Sequence, residues 1–247
     1  MATDAFISET VMITGHGGDE IEAYAARPLD ESPRGGVVVI HHMPGYDAGT
    51  KEITRNFAFH GYNAVMPNLY WREAPGASPD DAAAESRARG GVPDDRFVGD
   101  AEGAMNYLKN LSNSNGKVAI IGYCSGGRHA WLANGNLPFD GAIVCYGAFI
   151  NGETPEGFPP REDLRHLAST MHGPILGLFG NDDVYPTPEQ VDALEAVLGD
   201  AGKPYEFHRY DGAGHAFFCV ERTAYRPEAA VDGWAKIWAF LDTTIGG

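Results

Sequence analysis

Basic residues are scarce in this sequence. Lys and Arg number 18 against 34 Asp and Glu among 247 residues, which gives a formal net charge of -16 at pH 7. Surfaces that bind nucleic acid or anionic lipid need clustered Lys and Arg, and the close basic run here is only Arg87-Ala-Arg89. We therefore expect neither a nucleic-acid partner nor a membrane partner.

Long apolar runs are also missing. No stretch approaches the ~18 apolar residues that a membrane span requires. The first six residues, Met-Ala-Thr-Asp-Ala-Phe, lack the basic and apolar regions of a signal peptide. These two absences predict a cytoplasmic protein.

Cysteine is rare, with three residues at Cys124, Cys145 and Cys219. The number is odd and the spacing does not match a zinc site, which argues against a disulfide framework and a structural metal. We expect at least one free thiol and no metal or organic cofactor. Cys145 lies in an apolar run that predicts a central strand, so we expect it in the core.

Hydrophobic residues make up 43% of the chain, which is typical of one α/β domain covering residues 1–247. Alternating patterns at 6–13 and 20–27 predict an opening antiparallel hairpin. Later apolar runs alternate with helical stripes, which predicts a mostly parallel central sheet with helices on both faces. The further predicted strands are 36–41, 62–66, 117–121, 141–146, 174–179 and 205–210; the predicted helices include 97–108, 125–134, 188–201 and one around 234–241.

Residues 73–96 interrupt this alternation. They are rich in Pro, Gly, Ala and acidic residues and show no persistent period. The segment predicts a long surface excursion near the functional site, with a lid as its function.

The most informative motif is Gly122-Tyr-Cys-Ser-Gly-Gly127, directly after a predicted strand. It has the form of a nucleophile elbow in which Cys124 takes the nucleophile position on a strand-to-helix corner. A helix N-terminus there favours a thiolate and, later, an oxyanion. The alternative is a glycine-rich strand-to-helix turn that packs tightly or holds a phosphate, in which Cys124 is a small buried residue.

Two further groups follow later strands in the order of the α/β hydrolases: an acid at Asp182 and a base at His215. His215 would take the thiol proton and return one to the leaving group, while Asp182 would orient its imidazole. Asp183 competes with Asp182. We favour Asp182 because the turn toward Pro186 suits Asp183 as a capping or solvated acid.

With these motifs the chain resembles the dienelactone hydrolase family of α/β hydrolases, also called carboxymethylenebutenolidases, from about residue 37 to the C-terminal helix. The segments that carry the resemblance are 68–72, 74–76, 114–118, 122–127, 180–182 and 214–217. The resemblance implies the α/β-hydrolase fold and a triad of Cys124, Asp182 and His215. It further implies an oxyanion hole formed by the backbone N–H groups of Ser125 and Met43.

The same resemblance implies a substrate-binding set in which Arg72 grips a substrate carboxylate, with His42 and Tyr123 beside it. His42 stands where the family carries a glutamate that helps to ionise the cysteine. It is either a second base for Cys124 or a structural residue bonded to a backbone carbonyl. A second carboxylate-binding arginine is replaced by Cys219, which we expect in the pocket wall, and Arg222 is a possible substitute.

Together these features predict a hydrolase that cleaves a lactone or small ester through a cysteinyl acyl-enzyme. The expected partner is the small-molecule substrate, and the expected state is a monomer or weak homo-oligomer. The alternative is a non-catalytic small-molecule binding or redox-sensing protein on the same fold, in which Cys124 is oxidised reversibly.

Overall fold

The computed structural model describes residues 5–154, 156 and 158–246. The chain forms two compact units. The first unit runs to Ile120 and includes Ile245 near the C-terminus, and the second is Ile121–Thr244. The single-domain organisation stays a prediction.

The first unit opens with the predicted hairpin, formed by strands β1 (Phe6–Thr14) and β2 (Glu20–Pro28) in antiparallel register. Strand β2 also pairs antiparallel with β4 (Asn63–Pro67), and β4 pairs parallel with β3 (Arg34–Ile40). The strand order here is β1-β2-β4-β3-β5, where β5 is Ser114–Tyr123. The continuous apolar run of β3 is almost fully buried, as expected for a strand covered on both faces.

In the described part of this unit the α-helices are α1 (Ala48–Phe59), α2 (Pro79–Ala88) and α3 (Asp94–Lys109). Helix α2 lies inside 73–96, where the sequence predicted no helix. The Ser78 side chain caps it by accepting a hydrogen bond from the Asp81 backbone N–H. Ala82, Ala83 and Ser86 are buried, so part of the expected excursion is packed structure; its function as a lid stays a prediction.

The second unit continues the alternation of strands and helices. After the end of β5, its strands are β6 (Gly141–Cys145), β7 (Ile175–Gly180) and β8 (Tyr205–Tyr210). Strand order is β5-β6-β7-β8, and both β6-β7 and β7-β8 pair in parallel. The helices are α4 (Ser125–Asn136), α5 (Pro188–Asp200) and α6 (Pro227–Thr244).

These eight strands confirm the predicted fold class, a mostly parallel sheet of the α/β-hydrolase type. Cys145 lies in β6 and is fully buried, which confirms its assignment to the core. Among the described residues, no helix has both the length and the apolarity needed to cross a lipid bilayer. The cytoplasmic location stays a prediction.

Candidate active site

Cys124 sits on a strained corner between β5 and α4. Its backbone angles, φ 56° and ψ -120°, lie in a region that side-chain-bearing residues adopt only at an energetic cost. The two chain segments cross so closely that a β-carbon on Gly122 would lie 1.8 Å from the carbonyl oxygen of Gly126. The motif therefore forms the predicted elbow, and only glycine fits at position 122.

Backbone hydrogen bonds hold this corner in place. The Cys124 N–H donates to the carbonyl of Cys145 (3.1 Å), and the Cys124 carbonyl accepts from Gly127 (2.9 Å) and Ala148 (3.1 Å). Ser125 is the first residue of α4, where backbone N–H groups lack partners within the helix. The thiol, on a half-buried residue, is thus presented at the positive end of a helix.

The histidine of the site is His215, and its carboxylate partner is Asp183. The Nδ1 atom of His215 lies 2.9 Å from Oδ2 of Asp183, whose side chain is fully buried. The other carboxylate oxygen, Oδ1, accepts from the Tyr185 backbone N–H at 2.9 Å. Asp183 therefore combines the turn-capping role expected of it with contact to the base.

The preference for Asp182 is thereby corrected. Strand β7 ends at Gly180, and the Asp182 backbone N–H is tied to the Ala213 carbonyl (2.9 Å). Asp182 is exposed, whereas Asp183 is buried and faces His215. Consecutive residues in this turn point in different directions, and Asp183 is the one whose carboxylate contacts the imidazole.

Cys124 is the second group that acts on His215, since its thiol helps to raise the pKa of the imidazole. Since Nδ1 is held by Asp183, Nε2 is the ring nitrogen available to the thiol. Burial by itself lowers the pKa of His215, but hydrogen bonds and charge interactions with Asp183 and Cys124 outweigh it and raise the pKa to about 10. The Tyr146 ring packs edge-on against the imidazole at 5.2 Å, a contact that the sequence did not indicate.

Tyr123, expected in the substrate-binding set, has a different place. It is 2% exposed and its ring packs against Tyr146 and Phe218, with centroid distances of 6.3 and 6.0 Å. Side chains alternate in direction along β5, so the residue before the elbow points into the core. The expectation that Tyr123 contacts substrate is corrected, because its side chain belongs to the core.

In the first unit, the loop after β3 is held by its own side chains. Buried His41 donates from Nδ1 to the carbonyl of His42 (2.9 Å) and accepts at Nε2 from the backbone N–H of Leu69 (3.3 Å). Burial lowers the pKa of His41 to about 4, so the ring is neutral, as this tautomer requires. His41 thus ties this loop to the one that follows β4, a role that sequence analysis missed.

The His42 ring has a partner within the same loop: its Nε2 lies 3.2 Å from Oδ2 of Asp47, the N-cap of α1. Of the two alternatives for His42, the structural one therefore has a contact to support it, although with a carboxylate in place of a backbone carbonyl. Met43 lies in this loop, and its assignment to the oxyanion hole stays a prediction.

Arg72 is committed to protein carboxylates. Its Nη1 and Nη2 lie 2.8 and 2.9 Å from the two oxygens of Asp100, which is fully buried, and its Nε lies 2.8 Å from Asp19. Asp100 also accepts from the backbone N–H of His16 (2.9 Å), which joins the hairpin turn to α3. The expectation that Arg72 grips a substrate carboxylate is corrected, because a fork-to-fork pair already occupies its guanidinium.

We predict that Asp100→Ala lowers the free energy of unfolding by about 3 to 5 kcal/mol, because it leaves a half-buried guanidinium without its bidentate partner. The matched control is Asp19→Ala. Its carboxylate bonds the same arginine but is 61% exposed, so its loss costs about 1 kcal/mol or less. Urea unfolding measures the free energy of unfolding of both variants. Equal losses would mean that the buried Arg72–Asp100 pair stabilises the protein no more than the exposed Arg72–Asp19 pair.

An elbow on a strand-to-helix corner, in a sheet with this strand order, is typical of an α/β hydrolase, and Cys124 occupies the corner of this elbow. The dienelactone hydrolase family model matches residues 21–245. The chain therefore belongs to the dienelactone hydrolase family, and it is a hydrolase of this class.

Two relatives and one solved structure illustrate the likeness. A Salmonella typhimurium protein provisionally named carboxymethylenebutenolidase is 30% identical over 240 residues, 95% of this chain and 87% of that protein. The Pseudomonas putida carboxymethylenebutenolidase is 28% identical and aligns over 91% of this chain and 92% of its own. A Klebsiella pneumoniae structure, provisionally named a dienelactone hydrolase, superposes with a TM-score of 0.83 at 26% identity, covering 96% of this chain and 98% of the other.

Proposed function

We propose that this protein hydrolyses a lactone or small carboxylic ester through a triad of Cys124, His215 and Asp183. The observation that carries the proposal is a buried carboxylate in contact with an imidazole whose pKa is raised both by that carboxylate and by a thiol at an elbow. A nucleophile, a base and a group that orients the base are the parts that covalent acyl transfer requires.

In the first step, the Cys124 sulfur attacks the carbonyl carbon of the ester. The raised pKa of His215 keeps its ring protonated at neutral pH, and an imidazolium beside a sulfur stabilises a thiolate. The tetrahedral oxyanion accepts a hydrogen bond from the Ser125 backbone N–H at the start of α4. His215 then donates its proton to the departing alkoxide, which leaves a thioester on Cys124 and an alcohol.

In the second step, water resolves the thioester. Neutral His215 takes a proton from the water, the hydroxide adds to the thioester carbonyl, and the carbon-sulfur bond breaks to release the acid. Asp183 holds the imidazole in one tautomer throughout and stabilises its charged form. The cycle regenerates the thiolate and the imidazolium without a net change in redox state.

Steady-state hydrolysis of p-nitrophenyl acetate tests the proposal. We expect many turnovers by the wild-type protein and none above background by Cys124→Ala. Ser125→Ala is the matched control, because Ser125 contributes its backbone N–H and should retain turnover. A redox-sensing protein would release at most one equivalent of p-nitrophenolate, and that outcome would refute a hydrolytic triad.

A further inference from the structure

The second unit contains an aromatic cluster on segments that are hydrogen-bonded to triad residues. The ring of Phe149 packs at 5.3 Å from that of Phe158 and at 5.5 Å from that of Tyr185. Phe149 is half-buried, Phe158 is 50% exposed and Tyr185 is 38% exposed. Large apolar rings at this level of exposure remain available for contact with another apolar group.

Backbone hydrogen bonds connect this cluster directly to two members of the triad. Ala148, the neighbour of Phe149, donates to the Cys124 carbonyl at 3.1 Å. The Tyr185 backbone N–H donates to Oδ1 of Asp183 at 2.9 Å. Phe149 therefore follows a residue bonded to the nucleophile, and Tyr185 is itself bonded to the acid, so both rings belong to segments that border the triad.

The backbone of Phe149 is strained and is held by a hydrogen bond. Its φ of 61° is left-handed, a conformation that a phenylalanine adopts only at an energetic cost, and its carbonyl accepts from Nε of the buried Arg128 at 3.1 Å. Strained backbone conformations persist where the surrounding structure fixes a residue in one orientation, and they are common in ligand clamps. The strain is consistent with a ring placed for binding.

Arg72 was expected to bind a negatively charged group of the substrate, so its contacts bear on the charge that the substrate carries. All three of its guanidinium nitrogens bond Asp100 or Asp19, so the arginine expected to hold a substrate carboxylate is already neutralised. Position 219, where a second arginine was expected, carries a half-buried cysteine. Neither position supplies a free positive charge for an anionic substrate, and Arg222, the possible substitute, is exposed, so that water and salt screen its charge.

We propose that the site selects uncharged esters or lactones that carry an aromatic group, which packs on Phe149, Phe158 and Tyr185. The inference rests on the proposed function, since it names the substrate class of the same triad. Burying a phenyl ring against such a wall favours the aromatic ester over its acetyl counterpart by about tenfold or more in kcat/KM.

Three esters with one leaving group test this proposal: p-nitrophenyl phenylacetate, p-nitrophenyl acetate and the mono-p-nitrophenyl ester of succinic acid. After correction for their uncatalysed rates, we expect kcat/KM for the phenylacetate to exceed that for the acetate by about tenfold or more. The carboxylate-bearing succinate should be the poorest substrate. A preference for succinate would overturn the inference.

Two variants test whether Phe149 and Tyr185 cause the preference for the aromatic ester. Phe149→Ala and Tyr185→Ala should each reduce the phenylacetate-to-acetate ratio by about threefold to tenfold. Tyr205→Ala is the matched control, because Tyr205 is a similarly exposed aromatic residue (39%) at the start of β8, and it should leave the ratio unchanged. Tyr185→Ala keeps the inference testable if Phe149→Ala does not fold.

The possible failures are distinguishable. If the wild-type protein hydrolyses acetate without any aromatic preference, or if neither variant changes the ratio, this inference is wrong and the proposed function stands. If none of the three esters is hydrolysed, the proposed function fails and the inference fails with it.

Discussion

His215→Ala is expected to lower kcat for ester hydrolysis by about 10⁴-fold or more, because both proton transfers pass through this ring and the thiolate loses its counter-ion. The matched control is His208→Ala. His208 also lies next to a carboxylate, with Nε2 2.6 Å from Glu206, but on strand β8 and without a bond to Cys124 in the proposed scheme. Its loss should change kcat by less than about threefold.

Steady-state rates with p-nitrophenyl acetate measure both variants, and thermal unfolding confirms that each is folded. Near wild-type turnover by His215→Ala would show that His215 is not the base of the proposed mechanism. A comparable loss in both variants would indicate a general effect of replacing histidine, with no special role for position 215.

Asp183→Asn is expected to lower kcat by on the order of 10³- to 10⁴-fold, since the amide can hold the imidazole in the wrong tautomer and cannot stabilise its charged form. Asp182→Asn is the matched control in the neighbouring position. Its side chain is exposed, so it should retain most activity. A larger loss of activity in Asp182→Asn than in Asp183→Asn would identify Asp182 as the acid of the triad.

The same pair of variants has a second readout in the titration of His215. The hydrogen bond and charge of Asp183 help to raise the pKa of His215 to about 10 against the effect of burial. Asp183→Asn should therefore move the pKa downward, toward or below the ordinary value of 6.5, so that the ring loses its proton at lower pH. Imidazole NMR signals followed against pH would detect the shift, and an unchanged midpoint would contradict the assigned contact.

Much of the fold was predictable because apolar runs and their spacing determine which segments become buried strands. The hairpin, the elbow strand and the helix after Cys124 all occur where these patterns indicated. Helix α2 was missed because its Ala-rich and acidic composition gives little apolar periodicity. A usable signal was present nonetheless: Ser78, Pro79 and the acidic pair after them form a helix start.

The choice of acid could not be made from spacing alone. Asp182 and Asp183 follow the same strand, and which carboxylate turns inward depends on backbone hydrogen bonds with Ala213 and Tyr185, which belong to the folded turn. Arg72 illustrates the same limit. Its partner Asp100 is 28 residues away, and the sequence holds no local sign that the two side chains meet.

The most direct test of the central claim is mass spectrometry of the acid-quenched reaction with p-nitrophenyl acetate, followed by peptide mapping. p-Nitrophenolate is a good leaving group, so we expect acylation to be faster than hydrolysis of the thioester, and quenching during steady turnover should capture the intermediate. We predict a mass increase of one acetyl group on the peptide that contains Cys124, absent in Cys124→Ala and present in Ser125→Ala. Acetylation of Ser125, or turnover that persists in Cys124→Ala, would contradict the account.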